Sequence, residues 1–371
     1  REDKLTIAFV AEFSRGKSEL INAIFFSHYG SRILPSSAGR TTMCPTELGY
    51  DPALGPCLRL LPIDTRLQPL SLAEWRLKPG AWETLPLDIH SADQIAAALE
   101  KVAQVRKVTP DEARALGFWH DELPEDNPAL DDQGLVEVPL WRHALINMPH
   151  PLLKEGLVIL DTPGLNAVGA EPELTVNLIP QAHAVVFILG ADTGVTRSDL
   201  SIWREHLVST QAGTDSRLVV LNKIDTLWDA LNAPEKVQAQ LDKQRSTSAQ
   251  MLGVRVEQVL PVSAQKGLLA KITQDAALLQ ASGLPVLEDA LSQGIMGQRQ
   301  AILRAAVAAG VAGLNTETSR LLNIRRRDLD DQMLELRSLR GKNASVIESM
   351  RTRIEQEQTE FDLSAARIQA V

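Results

Sequence analysis

An α/β fold is predicted: a doubly wound, mostly parallel sheet followed by an all-α segment. Three observations predict it. Four apolar runs of strand length, residues 5–10, 156–160, 217–221 and 259–262, end in Ala11, Asp161, Asn222 and Ser263. Segments with helical apolar spacing separate them, the first at residues 19–26, and such alternation is what a parallel sheet covered on both faces requires. Near residue 295 the texture changes: residues 298–339 lack proline and are rich in Ala, Leu, Arg and Glu. The expected division is residues 1–294, with an insert at about 50–155, and residues 295–371. At 371 residues the chain has length for two or three domains.

The first strand runs into Ala11-Glu-Phe-Ser-Arg-Gly-Lys-Ser18 and then a helix. Strand, glycine-bearing loop, Lys-Ser, helix is the pattern of a phosphate-binding loop. Its main chain, from Glu12, Phe13, Ser14, Arg15 and Gly16 to Lys17 and Ser18, would curl around a β-phosphate. The Lys17 ammonium would bridge the β- and γ-phosphates and stabilise charge in transfer, and the Ser18 hydroxyl would sit on Mg²⁺. Ala11 stands where the usual pattern opens with glycine, and alanine tolerates positive φ poorly.

Residues 34–46 form a polar, small-residue segment with adjacent Thr41 and Thr42. It suits a nucleotide-sensing switch, with a hydroxyl on Mg²⁺ and a carbonyl on the attacking water. Asp161 ends the second strand and precedes Thr162-Pro-Gly164. A carboxylate at a parallel strand's C-terminal tip can hold a Mg²⁺-bound water, and the Gly164 N–H can meet the γ-phosphate. The third strand ends in Asn222-Lys-Ile-Asp225. Asp225 can accept both N1–H and N2–H₂ of guanine, a match adenine lacks. Asn222 would brace base and loop, and Lys223 would lie across the base plane. Ser263-Ala264 ends the fourth strand, and the Ala264 N–H would reach the guanine O6. Four such elements in this order point to a guanine-nucleotide site.

The phosphate loop and switch together, with Asp161-Thr-Pro-Gly-Leu-Asn166 and Ala191-Asp-Thr-Gly-Val-Thr-Arg-Ser-Asp199, resemble the dynamin superfamily, its bacterial members most of all. The resemblance covers roughly residues 3–295. It implies a GTPase that hydrolyses GTP to GDP and phosphate. Ser14 stands where such proteins help hold a charge-compensating monovalent cation, K⁺ or Na⁺. Arginine-finger relatives carry their arginine at that same place, but here Arg15 comes one residue later, which favours the cation. Thr42 matches the threonine that positions water and holds Mg²⁺, and Gly39 matches the switch glycine. Leu165 occupies the place where Ras-like proteins have glutamine. The resemblance further implies a homodimer through the GTPase heads and a cytoplasmic protein, peripheral at the inner membrane. It also implies helices that carry the head's motion, and a membrane or protein partner reached through regions beyond this chain. Dynamin relatives are longer, so the chain is expected to be a piece of a larger protein. The rival readings are a nucleotide-gated adaptor with slow turnover, a ribosome-assembly GTPase and a nucleotide-bound polymer subunit.

Net charge is −9, with 23% charged residues, which argues against a nucleic-acid partner. Residues 295–371 hold 12 basic and 10 acidic side chains, so the acid excess lies in the preceding part. The two cysteines, Cys44 and Cys57, suggest no disulfide frame. There is no 18-residue apolar run.

Within the insert, residues 57–61 and 141–146 read as strands and residues 91–107 as a helix, with Ser91 and Asp93 in the N-cap region. Thr109-Pro110 reads as a second helix start. An acidic mobile loop is expected at residues 122–134. Trp75, Trp82, Trp119 and Trp141 are expected to pack a small insert core. In the tail, Leu322, Leu329 and Leu336 recur every seven residues with Met333 between, and Ile347, Met350, Ile354 and Phe361 follow Gly341. That pattern predicts two amphipathic helices forming a hairpin near residues 341–343.

Overall fold

The computed structural model describes residues 4–34, 44–122, 127–162, 178–208, 216–228 and 234–369. The expected switch residues Gly39, Thr41 and Thr42, and also Gly164 and Leu165, lie outside them. Contacts divide the chain into two units, residues 1–306 and 307–371.

The first unit is built on a nine-stranded sheet. Its strands are β1 (Leu5–Ala11), β2 (Thr46–Gly49), β3 (Cys57–Pro62), β4 (Glu83–Pro86), β7 (Trp141–Asn147), β8 (Leu157–Asp161), β9 (Ala184–Gly190), β10 (Arg217–Asn222) and β11 (Val259–Pro261). The order across it is β11-β10-β9-β1-β8-β2-β7-β3-β4. Neighbours from β11 to β8 are all parallel. Beyond β8 the sheet is mixed: β2 is antiparallel to β8 and parallel to β7, and β3 is antiparallel to both β7 and β4.

The parallel half reads as continuous apolar runs because both its faces are covered. Leu5, Ile7, Phe9 and Ala11 of β1 join one core with Val186 and Val220, while Ala8 and Val10 join another with Phe187 and Val219. Period-two alternation thus splits each strand between two hydrophobic layers.

The insert departs from the sequence expectation in one main respect. Its strands β3 and β7 extend the main sheet rather than forming a module of their own. Trp141 accordingly sits in the large core. Trp75 and Trp82 pack with Leu61 and Leu72, and Trp119 covers a small cluster over the separate hairpin of β5 (Val105–Val108) and β6 (Val136–Pro139). The helix capped by Ser91 spans Ala92–Glu100 and ends before β5, where Val105 and Val108 favour strand. Ile95, Leu99 and Val102 are buried as their spacing foretold. Thr109 caps the next helix through a capping box with Glu112, with Pro110 at its first turn. Of the loop expected at residues 122–134, residues 123–126 lie outside the described residues, and in the rest Asp131 accepts from Gln133 N, Leu135 N and Lys107 Nζ.

The C-terminal helical region is one continuous helix, Arg299–Gln369, rather than a hairpin. No proline follows Pro285, and a lone glycine in an exposed helix costs only about 1 kcal/mol relative to alanine. Gly341 therefore does not break it. Leu322, Leu329, Met333 and Leu336 are exposed along it.

Candidate functional site

The phosphate loop leaves β1 at Ala11, which is buried and outside the left-handed region. The residues that take positive φ are Ser14 (64°) and Gly16 (86°). Alanine at the pattern's first place therefore meets no strain. Gly16 is required twice over: its φ suits glycine, and a Cβ there would lie 2.4 Å from Asn222 Nδ2. Lys17 opens a helix of five residues that passes into a π-turn, Asn22–Phe26, a distortion frequent at functional sites.

Lys17 Nζ pairs with the Asp161 carboxylate at the tip of β8, two strand ends that the parallel β1–β8 register brings together. Ser18 and Asp161 border one cavity of about 20 Å³, whose other lining is mostly apolar, Leu34, Leu99, Val102 and Ile146 among it. The Ser18 hydroxyl and the Asp161 carboxylate are oxygen donors of the kind Mg²⁺ takes. Thr46 pairs with Asp161 across β2 and β8, so the strand following the expected switch starts beside the acid. Ser14 is exposed at the loop tip, open to a cation.

On the base side, Asn222 ends β10 and is 2% exposed. Its Nδ2 donates to the Arg15 carbonyl at 2.8 Å, and its Oδ1 accepts from Ala264 N at 3.0 Å. The Ala264 N–H expected at guanine O6 is thus engaged by Asn222. Lys223 takes φ 64°, and its ammonium pairs with Asp192 at 2.9 Å. Asp225 Oδ1 accepts from Ser263 Oγ at 2.6 Å, and that same Ser263 caps the helix Ala264–Thr273. Asp225 and the Ser263-Ala264 turn are thereby brought together although 38 residues separate Asp225 from Ser263.

The side chains of Glu12 and Arg15 face the protein. Arg15 is 7% exposed, and its guanidinium donates to Glu12, Thr193, Thr196 and Asp199. Only the main chain of these two residues remains for a phosphate, while Phe13 is exposed. Asp199, Thr193 and Thr196 escaped sequence reasoning about the site. The signal available was the spacing Thr196-x-x-Asp199, a capping box. Asn22 was missed as well: fully buried, it accepts from Ile33 N and Leu34 N and donates to Leu34 O, fixing the chain where it enters the expected switch.

A larger cavity, about 240 Å³, lies away from these loops, bordered by Lys4, Glu47, Arg59, Arg76 and His183 among others. Glu47 lies beside it and pairs with Arg76 and His143. Burial alone would raise the Glu47 pKa, but the His143 hydrogen bond and the Arg76 charge outweigh it and bring it down to about 2. Burial pushes the Cys44 thiol up, so it is unreactive. Cys44 and Cys57 are both free. Among the described residues no cluster of three His, Cys, Asp or Glu side chains forms a metal site. No described helix is long and apolar enough to cross a membrane.

Strand tips in the parallel half of one sheet, a lysine-serine loop and an asparagine that ties that loop to the Ser263-Ala264 turn define a phosphate-loop nucleotide-binding domain. A model of the dynamin family matches residues 7–224. The chain belongs to the dynamin family. It is 32% identical over 127 residues to a probable transmembrane GTPase, FZO-like and chloroplastic, of Arabidopsis thaliana, covering 34% of this chain and 13% of that protein. It is 24% identical over 189 residues to a bacterial dynamin-like protein of Nostoc punctiforme, covering 47% of this chain and 27% of that one. A solved oligomerised bacterial dynamin pair, described as a mechanism for long-range sensing and tethering of membranes, aligns with a TM-score of 0.48 and 16% identity, over 96% of this chain and 48% of that one. The matches thus span between about an eighth and a quarter of the two curated relatives' length.

Proposed function

We propose that this chain is the head of a dynamin-like GTPase, hydrolysing GTP to GDP and phosphate. The observation that carries the reading is the double hydrogen bond of Asn222, which binds the phosphate loop and the Ser263-Ala264 turn into one rigid unit. Such preorganisation lets fixed donors meet charge as it develops, without reorganisation at the moment of reaction. Lys17 would move from Asp161 to the β- and γ-phosphate oxygens. Asp225 would select guanine by accepting its two N–H donors. Thr42 would orient the attacking water, and the Gly164 N–H would meet the γ-phosphate. Mg²⁺, held by Ser18, Thr42 and a water on Asp161, would withdraw charge from the phosphates. Ser14 would hold a K⁺ or Na⁺ ion, in keeping with an Arg15 side chain committed elsewhere. Two heads would pair across their nucleotides and move the helical segment, in membrane work of the kind named for the relatives.

Calorimetry with GTP, GDP and ATP in the presence of Mg²⁺ tests the binding step; heat with guanine nucleotides alone is expected. Phosphate release per head should rise with protein concentration. A flat dependence would instead favour a solitary switch. Thr42→Ala should keep GTP binding within about threefold and lower turnover at least about tenfold.

A further inference from the structure

We infer that Arg15 and Asp199 form a positioning clamp that fixes the Ser14 end of the phosphate loop from behind; the inference rests on the GTPase reading above. Asp199 is fully buried. One of its oxygens accepts from Arg15 Nη2 at 3.0 Å, from Thr196 N at 3.0 Å and from Thr196 Oγ at 2.8 Å, and the other from Arg15 Nε at 3.4 Å. Arg15 also donates to Thr193 Oγ at 2.7 Å and to Glu12. The guanidinium is thereby spread over both sides: Glu12 of the loop itself, and the stretch from Thr193 to Asp199, which runs from the β9 connection into the helix Arg197–Ile202 some 180 residues away.

The bland reading is a helix cap with a neighbouring arginine. Two features go beyond it. A capping box needs only Thr196 and Asp199, so the guanidinium is not required to form the cap. It is also attached to the residue between Ser14 and Gly16, both in left-handed backbone. A non-glycine residue at φ 64° persists only where its surroundings over-determine it. Arg15 supplies two separate anchors there: its carbonyl is held by Asn222 and its side chain by Asp199. Asp199 lies in the first turn of the helix Arg197–Ile202, and the connection that leads from β9 to that helix carries Asp192, the partner of Lys223 on the base side. One segment, residues 190–199, therefore sets the register of phosphate loop and base loop together.

The two anchors separate binding from turnover. Without the guanidinium, Asn222 still holds the Arg15 carbonyl, and Lys17 and the loop amides still meet a nucleotide. The Ser14 peptide, next to the transferring phosphoryl group, would lose its restraint. Arg15→Gln and Asp199→Asn should therefore lower kcat at least tenfold while GDP affinity, measured by fluorescent-nucleotide titration, stays within threefold. The double variant should be no worse than the poorer single, since both remove one interaction. Arg15→Lys should recover part of the loss.

A folded Arg15→Gln protein with kcat within twofold of the parent overturns the clamp. So do additive losses in the double variant, or kcat and GDP affinity that fall in step. If Arg15→Gln does not fold, Arg15→Lys and Thr193→Val carry the test, with a kcat loss of threefold or more expected and an unchanged kcat overturning. A parent protein that neither binds nor hydrolyses GTP would be a different failure, that of the GTPase reading itself.

Discussion

From β11 to β8 the sheet buries its charge at strand tips, whereas from β2 to β7 it buries charge in mid-strand. Asp161 is the last residue of β8, and its partner Lys17, like Arg15, lies in the phosphate loop that follows β1. Glu47, Arg142 and His143 lie inside β2 and β7, flanked along the strand by other residues. Arg142 is satisfied by the carbonyls of Thr65 and Leu70, and Glu47 by Arg76 and His143. Both regions desolvate charged groups and both border a cavity, about 20 Å³ beside Ser18 and Asp161 and about 240 Å³ beside Glu47 and Arg76, but only the first lies where parallel strands end. The Lys17–Asp161 pair is a single contact that can open toward a phosphate, whereas Glu47 is held by two partners, Arg76 and His143. Burial of charge is therefore not by itself a sign of chemistry, and position along the strand separates the two cases.

The largest effect that sharpens this contrast is Lys17→Ala. It should lower GTP turnover at least about a hundredfold, as loss of a charge-stabilising donor does. It also strands Asp161, so some stability is lost. Phosphate-release assays on folded protein decide it, and turnover within tenfold of the parent would erase the distinction between the two halves.

Glu47→Gln should act the other way: stability falls by about 3–5 kcal/mol, the usual cost of removing one partner of a buried charge pair, while kcat per folded molecule is unchanged. Urea unfolding measures the first and phosphate release the second. The pH dependence follows with a definite sign. Glu47 is held near 2 in the folded protein against about 4.5 when exposed. Its contribution is complete above pH about 4.5 and is lost as pH falls toward 2, amounting to about 3 kcal/mol. The parent should show that acid loss and the Gln variant should lack it. A tenfold fall in kcat would mean that the mixed half takes part in the reaction.

Asp225→Asn is next. A charge-assisted pair of hydrogen bonds to guanine becomes a mismatched one, so GTP affinity should weaken by about 1.5–3 kcal/mol with ATP binding unaffected. Equal affinity for GTP before and after the change would remove Asp225 from the base site.

The tips were legible because each is announced locally, by an apolar run ending in Asp161, Asn222 or Ser263. Caps were legible for the same reason, as at Ser91 and Thr109. What stayed hidden depends on distance along the chain. Nothing in residues 57–61 or 141–146 says that their partners belong to the main sheet, because strand pairing is decided by the packed fold. The four residues of β2 were too short to signal. The Arg15–Asp199 pair spans 184 positions, and the sequence around Arg15 allowed it to be weighed only as a loop residue set one place away from an arginine finger. The hairpin expected near Gly341 failed on magnitude, since one glycine is too weak a break to stop a helix with no proline in it.

Thr109→Ala is the smallest effect and the cleanest control on the insert. Thr109 Oγ accepts from Glu112 N at 3.3 Å, and Glu112 returns a carboxylate oxygen to Thr109 N at 2.9 Å. Loss of such a cap costs about 1 kcal/mol. The site is exposed and carries no buried charge, and the strand it follows, β5, belongs to the separate two-stranded sheet and not to the main one. Unfolding midpoints should therefore shift slightly with no change in kcat, KM or the dependence of turnover on protein concentration. Were the concentration dependence to flatten, the Thr109 helix would belong to the surface by which two heads meet. The division between a chemical half and a structural half of the sheet would then have to be redrawn to give the insert a part in assembly.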